Sequence, residues 1–180
     1  MSGFPEYVPP ELAQLNNWVF WQSECNAENK LTKVPYQVRN WRRMAASTRS
    51  DEWASLSDAA RNHEISGRTG VGFVFEQGLG IFGIDVDDLE KVAPENREAS
   101  LRLRGLIHEH FPTYCERSPS GTGWHYIGYG SLPAEVRSIK DSKYGIDVYD
   151  KERFFTFTGL CVDRETRARL TPCQDALTEL

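Results

Sequence analysis

No stretch of this 180-residue chain approaches the ~18 consecutive apolar positions that a membrane-spanning helix requires. Met1 to Pro10 has neither the basic flank nor the apolar run of a secretory signal. An intracellular, cytoplasmic protein with no membrane partner is therefore expected. Cysteine is scarce: Cys25, Cys115, Cys161 and Cys173 show no Cys-x-x-Cys spacing and no histidine at zinc-finger intervals. That pattern argues against a metal knuckle or a disulfide framework and leaves free thiols. Internal repeats and low-complexity segments are missing too. The most informative absence is local. Between Asn29 and Ser50 stand Lys30, Lys33, Arg39, Arg42, Arg43 and Arg49 without one acid, in a chain of formal net charge -5. The overall sign argues against a protein that coats nucleic acid with its whole surface. The stripe, with Tyr36 and Trp41 interleaved, could hold phosphates while the rings stack on bases, which makes Arg39, Arg42, Arg43 and Tyr36 candidate contacts to DNA. A solvated basic loop is the plain alternative.

What is present suits an ordinary globular protein, with 39% hydrophobic and 26% charged residues. The length fits one domain, or two small modules sharing a site. Pro10 to Leu15 reads as a short helix with proline in its first turn. Trp18 to Trp21 and Lys33 to Tyr36 read as two paired strands, since Pro35 keeps Val34 extended. Ser50 is a candidate N-cap for a helix to about Asn62, with Trp53 in the core. Gly67 to Gly70 breaks the pattern. Val71 to Phe75 and Leu79 to Asp87 then read as a hairpin turning near Gly78. A helix from about Pro94 to His110 follows, burying Leu101, Leu103, Leu106 and Ile107. Strands at Thr113 to Arg117, Trp124 to Ile127, Tyr144 to Tyr149 and Arg153 to Gly159 come next, and a last helix starts near Thr171. The order points to an antiparallel α+β fold, not a doubly wound sheet.

The chemistry gathers around Ile84-Asp85-Val86-Asp87-Asp88. On a strand, residues two apart share a face and lie roughly 6.5 Å apart along it, so Asp85 and Asp87 project together. Carboxylates about 4 Å apart repel by something like 4 kcal/mol at an effective dielectric near 20 unless a proton or cation intervenes, and a divalent metal is the obvious occupant. A solvated strand end is the bland reading. Ser118-Pro119-Ser120-Gly121-Thr122-Gly123 is a turn whose backbone N–H groups could cradle an anion, and His125 follows it directly. Asp147 lies on the polar face of its strand, with Arg153 close behind. Three carboxylates can hold two metal ions about 3.5–4 Å apart for phosphoryl transfer. His125, Arg153, Lys33 and the turn amides could position a triphosphate.

In this order, Lys33-Val34-Pro35-Tyr36, Val71-Gly72-Phe73-Val74-Phe75, Ile84-Asp85-Val86-Asp87-Asp88, Ser118 to His125, and Asp147-Val148-Tyr149 with Arg153 to Gly159 resemble the archaeo-eukaryotic primase superfamily. Within it, the likeness is to the primase-polymerase domains of phage and plasmid replication proteins. The resemblance spans about Trp18 to Gly159. It implies an RRM-like sheet (67–180) joined to a small N-terminal α/β module (1–66), with the active site between them. It further implies Asp85, Asp87 and Asp147 as catalytic metal ligands for two Mg²⁺ or Mn²⁺ ions. Ser118, Ser120, Gly121, Gly123, His125, Arg153 and Lys33 would contact the incoming nucleotide. Relatives often carry glutamate where Asp147 stands; aspartate still binds these ions with a shorter reach. The expected partners are a DNA template and primer, ribo- or deoxyribonucleoside triphosphates, and a C-terminal helical domain and helicase in a longer chain.

Two other classes compete. A tyrosine-dependent replication-initiator nuclease would need a His-hydrophobic-His metal pair, for which His108-Glu109-His110 is the candidate, with a charged residue in the middle. A non-catalytic nucleotide- or single-strand-binding module would need the basic stripe and aromatics but no metal.

Overall fold

The computed structural model describes residues 4–180. Its elements in chain order are α1 (Pro10–Ala13), β1 (Trp18–Cys25), β2 (Leu31–Tyr36), α2 (Leu56–Ser66), β3 (Gly70–Phe75), β4 (Ile81–Val86), α3 (Arg97–His110), β5 (Tyr114–Arg117), β6 (Trp124–Tyr129), β7 (Ser138–Asp141), β8 (Ile146–Tyr149), β9 (Arg153–Phe157) and α4 (Gln174–Glu179), with single 3₁₀ turns between some of them. The strands form two sheets, ordered β2-β1-β3-β9 and β5-β6-β4-β8-β7, with every neighbouring pair antiparallel. The expected α+β class is observed.

Strict alternation along β4, β6 and β8 gives the five-stranded sheet two different faces. Phe82, Ile84, Val86, Tyr126, Ile146 and Val148 form one core with Ile107 and Phe111 of the α3 side and Leu177 of α4. The opposite face meets the four-stranded sheet through Phe75, Phe155, Phe157, Tyr114 and Ile127, which belong to a second core. The far face of the four-stranded sheet is closed by Val19, Val74, Ala45 and Trp53.

Several expectations need correction. The chain does turn at Gly78, which adopts φ +91°, but β3 and β4 do not pair as a hairpin. β3 is flanked on both edges by β1 and β9, and β4 by β6 and β8, so the turn passes the chain from one sheet to the other. Residues 1–66 and 67–180 therefore do not each keep their own sheet, since β3 and β9 complete the sheet begun by β1 and β2. Ser50 opens only a 3₁₀ turn; α2 is capped by Ser55, whose hydroxyl accepts from the Asp58 amide at 3.1 Å. Leu101 and Leu106 are 54% and 51% exposed, because the inward face of α3 runs through Ser100, Leu103, Arg104 and Ile107. β7 had no counterpart in the sequence reading.

Gly83 lies where rings of the four-stranded sheet press against the five-stranded sheet. A Cβ there would sit 2.5 Å from atoms of both Phe75 and Phe155. Gly83→Ala is expected to destabilise the fold by about 1–3 kcal/mol through overpacking, a loss that urea unfolding would measure.

Candidate active site

The sheet registers align five polar residues in a single cross-strand row: Glu116 opposite His125, His125 opposite Asp85, Asp85 opposite Asp147, and Asp147 opposite Lys140. Directly opposite residues point to the same face and adjacent strands lie about 4.8 Å apart, so the row crosses the sheet over roughly 19 Å. It occupies the face turned toward the four-stranded sheet. Asp85 and Asp147, distant in sequence, become immediate neighbours at its centre.

The end formed by Glu116 and His125 is buried. Glu116 is fully buried and its Oε1 lies 3.0 Å from His125 Nδ1. Its Oε2 accepts from the Tyr114 hydroxyl at 2.9 Å and from the amides of Thr158 at 3.0 Å and Gly159 at 2.8 Å. An ionised carboxylate only accepts, so Nδ1 carries the proton and Nε2 is left to face Asp85, whose Oδ1 is 3.9 Å away. The His125 ring also packs on Phe155 at 4.9 Å between centroids. Sequence reasoning missed Glu116. The signal was the six-residue turn from Ser118 to Gly123, which sets Arg117 opposite Trp124 and hence Glu116 opposite His125.

Asp85, half-exposed, lines a cleft of about 410 Å³ together with His125, Lys33, Arg153, Phe155 and Thr156. Side chains from the two edge strands of the four-stranded sheet meet here: Lys33 of β2 donates to the Thr156 hydroxyl of β9 at 3.2 Å. Lys33 is solvent-accessible along its length, but its ammonium end enters the cleft. Desolvation there lowers its pKa, and the nearby Asp85 charge opposes that shift.

The remaining expected residues are distributed less tightly. Asp147 adjoins Asp85 and accepts from the Tyr149 hydroxyl at 2.7 Å. That bond and, above all, burial raise the tyrosine's pKa well above its ordinary value. Asp87 lies one residue beyond β4, where Lys91 donates to its Oδ1 at 2.6 Å and Arg104 donates to its carbonyl oxygen at 2.6 Å. Ser118, Ser120, Gly121 and Gly123 do not line the cleft. Their turn packs against the end of β4, and the amides of Ser118, Gly121 and Gly123 already bond within it. Arg39 faces Asp58 at 3.7 Å, while Arg42 and Arg43 are exposed on the loop after β2. Tyr36 is only 7% exposed, with the Arg68 guanidinium 3.4 Å above its ring, so it has no free face for a base.

Among the described residues, no group of three or more His, Cys, Asp or Glu side chains is arranged to hold a metal ion. The donor chemistry nonetheless suits a divalent cation at Asp85 and Asp147, two adjacent oxygen donors with no lysine or arginine within ion-pair distance among the described residues. Asp87 has Lys91 as its counter-ion. The pair His108 and His110 lies in α3, where residues two apart point to different sides of the helix, and His108 Nδ1 is 3.2 Å from the Tyr126 hydroxyl. No helix among the described residues is long and apolar enough to cross a membrane.

Comparison with curated proteins bears out the resemblance to a primase-polymerase domain. The relative is a DNA primase-polymerase of Nitratiruptor phage NrS-1, 29% identical over 154 residues, which make up 84% of this chain and 20% of that protein. The chain thus spans about a fifth of the length of the relative it matches. No protein-family model matches the chain.

Proposed function

We propose that the chain is a template-directed nucleotidyltransferase, a DNA primase or DNA polymerase domain serving replication of a phage, plasmid or other mobile element. The observation that carries this reading is the pair Asp85 and Asp147, side by side on β4 and β8, with Asp85 lining a cleft whose other wall bears Lys33 and Arg153. The relative's name agrees with it. An RRM-like primase-polymerase fold belongs to the same reading. It is supported by the order β5-β6-β4-β8, in which α3 follows the central first strand, as in split βαβ arrangements.

Phosphoryl transfer asks a protein mainly for positioning and charge neutralisation. Asp85, Asp87 and Asp147 would hold two Mg²⁺ or Mn²⁺ ions, which when bound lower the pKa of the attacking hydroxyl and neutralise the leaving pyrophosphate. Lys33 and Arg153 bind the triphosphate from the opposite wall. His125, its orientation fixed by Glu116, presents Nε2 to the same phosphates and donates to them in its doubly protonated form. Lys91 balances the Asp87 charge.

The test is primer extension on a primed single-stranded DNA template, with deoxyribonucleotides or ribonucleotides, in Mg²⁺ and then Mn²⁺, beside Asp87→Ala. Extension by the wild type that disappears in the variant is expected, and equal extension by both would refute the assignment. Lys33→Ala and His125→Ala should each raise the nucleotide KM about tenfold, the worth of one charge-assisted hydrogen bond, with a smaller change in kcat. An unchanged KM removes that residue from the phosphate site.

A further inference from the structure

We infer that a second, basic cleft between β7, β8 and the start of β9 is a docking surface for the phosphodiester backbone of a nucleic-acid strand. This rests on the nucleotidyl-transfer reading for its biological sense, but the surface stands on its own observations. The cleft, about 190 Å³, is walled by Arg137, Lys140, Tyr149, Lys151, Glu152 and Arg153. Four cations and one carboxylate thus line it, in a chain whose formal net charge is -5. That carboxylate is already committed, since Arg137 Nε lies 2.9 Å from Glu152 Oε2. Lys151 is turned inward, its ammonium 3.3 Å from the Ala134 carbonyl oxygen and 4.0 Å from Asp150. Arg137, Lys140 and Arg153 remain exposed at the rim. Lys140 and Arg153 lie 5.9 and 5.1 Å from the centroid of the Tyr149 ring, which spaces the two charges apart.

Position adds to charge. Lys140 is the register partner of Asp147, so its backbone lies one strand, about 4.8 Å, from that of Asp147 and two strands from Asp85. Arg153 lines both this cleft and the larger one, so a strand lying here runs directly up to the place where a nucleotide would be bound. The backbone is held for the purpose. Glu152 takes φ +53°, an unfavourable conformation for a non-glycine residue, and the Ser47 hydroxyl donates to its carbonyl oxygen at 2.9 Å. That bond joins the loop carrying Arg42 and Arg43 to the β8–β9 turn. Of the stripe residues, Arg39 faces Asp58 and Tyr36 is covered, while Arg42 and Arg43 stay exposed on the loop that Ser47 ties to this cleft.

The test is fluorescence anisotropy with a labelled single-stranded oligodeoxynucleotide between about 50 and 200 mM NaCl, using wild type, Arg137→Ala/Lys140→Ala, Arg42→Ala/Arg43→Ala and Glu152→Gln. Each single-strand phosphate contact contributes about 0.7 to the slope of log K against log salt, so the Arg137/Lys140 double variant should lose about 1.4. Nucleotide affinity, measured separately, should stay within about twofold. Glu152→Gln removes the cleft's one carboxylate and should tighten strand binding about two- to fourfold, a direction that damage to the fold does not produce. An unchanged slope in the Arg137/Lys140 variant, or loss of nucleotide affinity without loss of slope, overturns the inference. So does a loss confined to the Arg42/Arg43 variant. A wild type that extends no primer but shows the expected slope changes would refute the enzymatic reading and leave the docking surface intact.

Discussion

Asp85→Asn is expected to stop primer extension while leaving the protein as stable as the wild type or more so. The side chain stands at the centre of the polar row, directly opposite Asp147 and beside His125. Removing one charged oxygen from a site that neutralises a transferring phosphoryl group sacrifices several kcal/mol of transition-state stabilisation, a rate loss on the order of 10²–10³ or greater. The effect on the fold has the opposite sign. Like charges directly opposite on neighbouring strands are destabilising by roughly 0.2–1 kcal/mol, so the asparagine should raise the melting temperature by up to about 2–4 °C. The gain should shrink as salt screens the repulsion, whereas the loss of extension should not recover. A variant that melts well below the wild type would mean that Asp85 serves the fold and not the reaction.

How much of this was legible in the sequence depends on the range of the information needed. Alternation within a strand is local, and it placed Asp147 on the face opposite Ile146 and Val148, as observed. The β1–β2 pairing is also local, and Pro35 signalled it. Sheet membership is not local. The turn at Gly78 looked like any hairpin turn, and only the partners of β3 and β4, one set drawn from each end of the chain, send the two strands to different sheets. For the same reason each residue of the polar row could be suspected singly, while the row itself could not. Asp85 and Asp147 meet because β4 happens to lie between β6 and β8. Leu101 and Leu106 misled because apolar content was read without its phase; Ser100 and Arg104, which turn inward to the Tyr144 and Asp87 carbonyl oxygens, define the true inner face of α3. The basic stripe keeps Arg42 and Arg43 exposed, whereas Tyr36 turns inward to Glu24 and Arg68, a direction set by tertiary partners.

Glu116 was the least visible of the site's residues, and its removal should have the largest effect on the fold. In Glu116→Ala, the Tyr114 hydroxyl, the amides of Thr158 and Gly159, and His125 Nδ1 all lose their acceptor in a fully buried location. Each orphaned donor costs about 1–3 kcal/mol, and relaxation or entering water would recover part of the sum. A net loss of about 3–5 kcal/mol is expected, which thermal or urea unfolding would register. Glu116→Gln separates the chemistry from the stability. Four donor groups lie within reach of the position of Oε2, the Tyr114 and Thr158 hydroxyls and the Thr158 and Gly159 amides, so the glutamine carbonyl oxygen must take that place and its NH₂ must face His125. An NH₂ group only donates. Nδ1 must then accept, and the ring proton moves to Nε2, the nitrogen that faces Asp85 and the cleft. The variant should therefore be nearly as stable as the wild type, within about 1–2 kcal/mol, yet hold His125 in the opposite tautomer. Nitrogen-15 chemical shifts of the His125 ring would read this directly. If the ring keeps its proton on Nδ1 in Glu116→Gln, Glu116 is a structural anchor for Thr158 and Gly159 and does not set the state of His125.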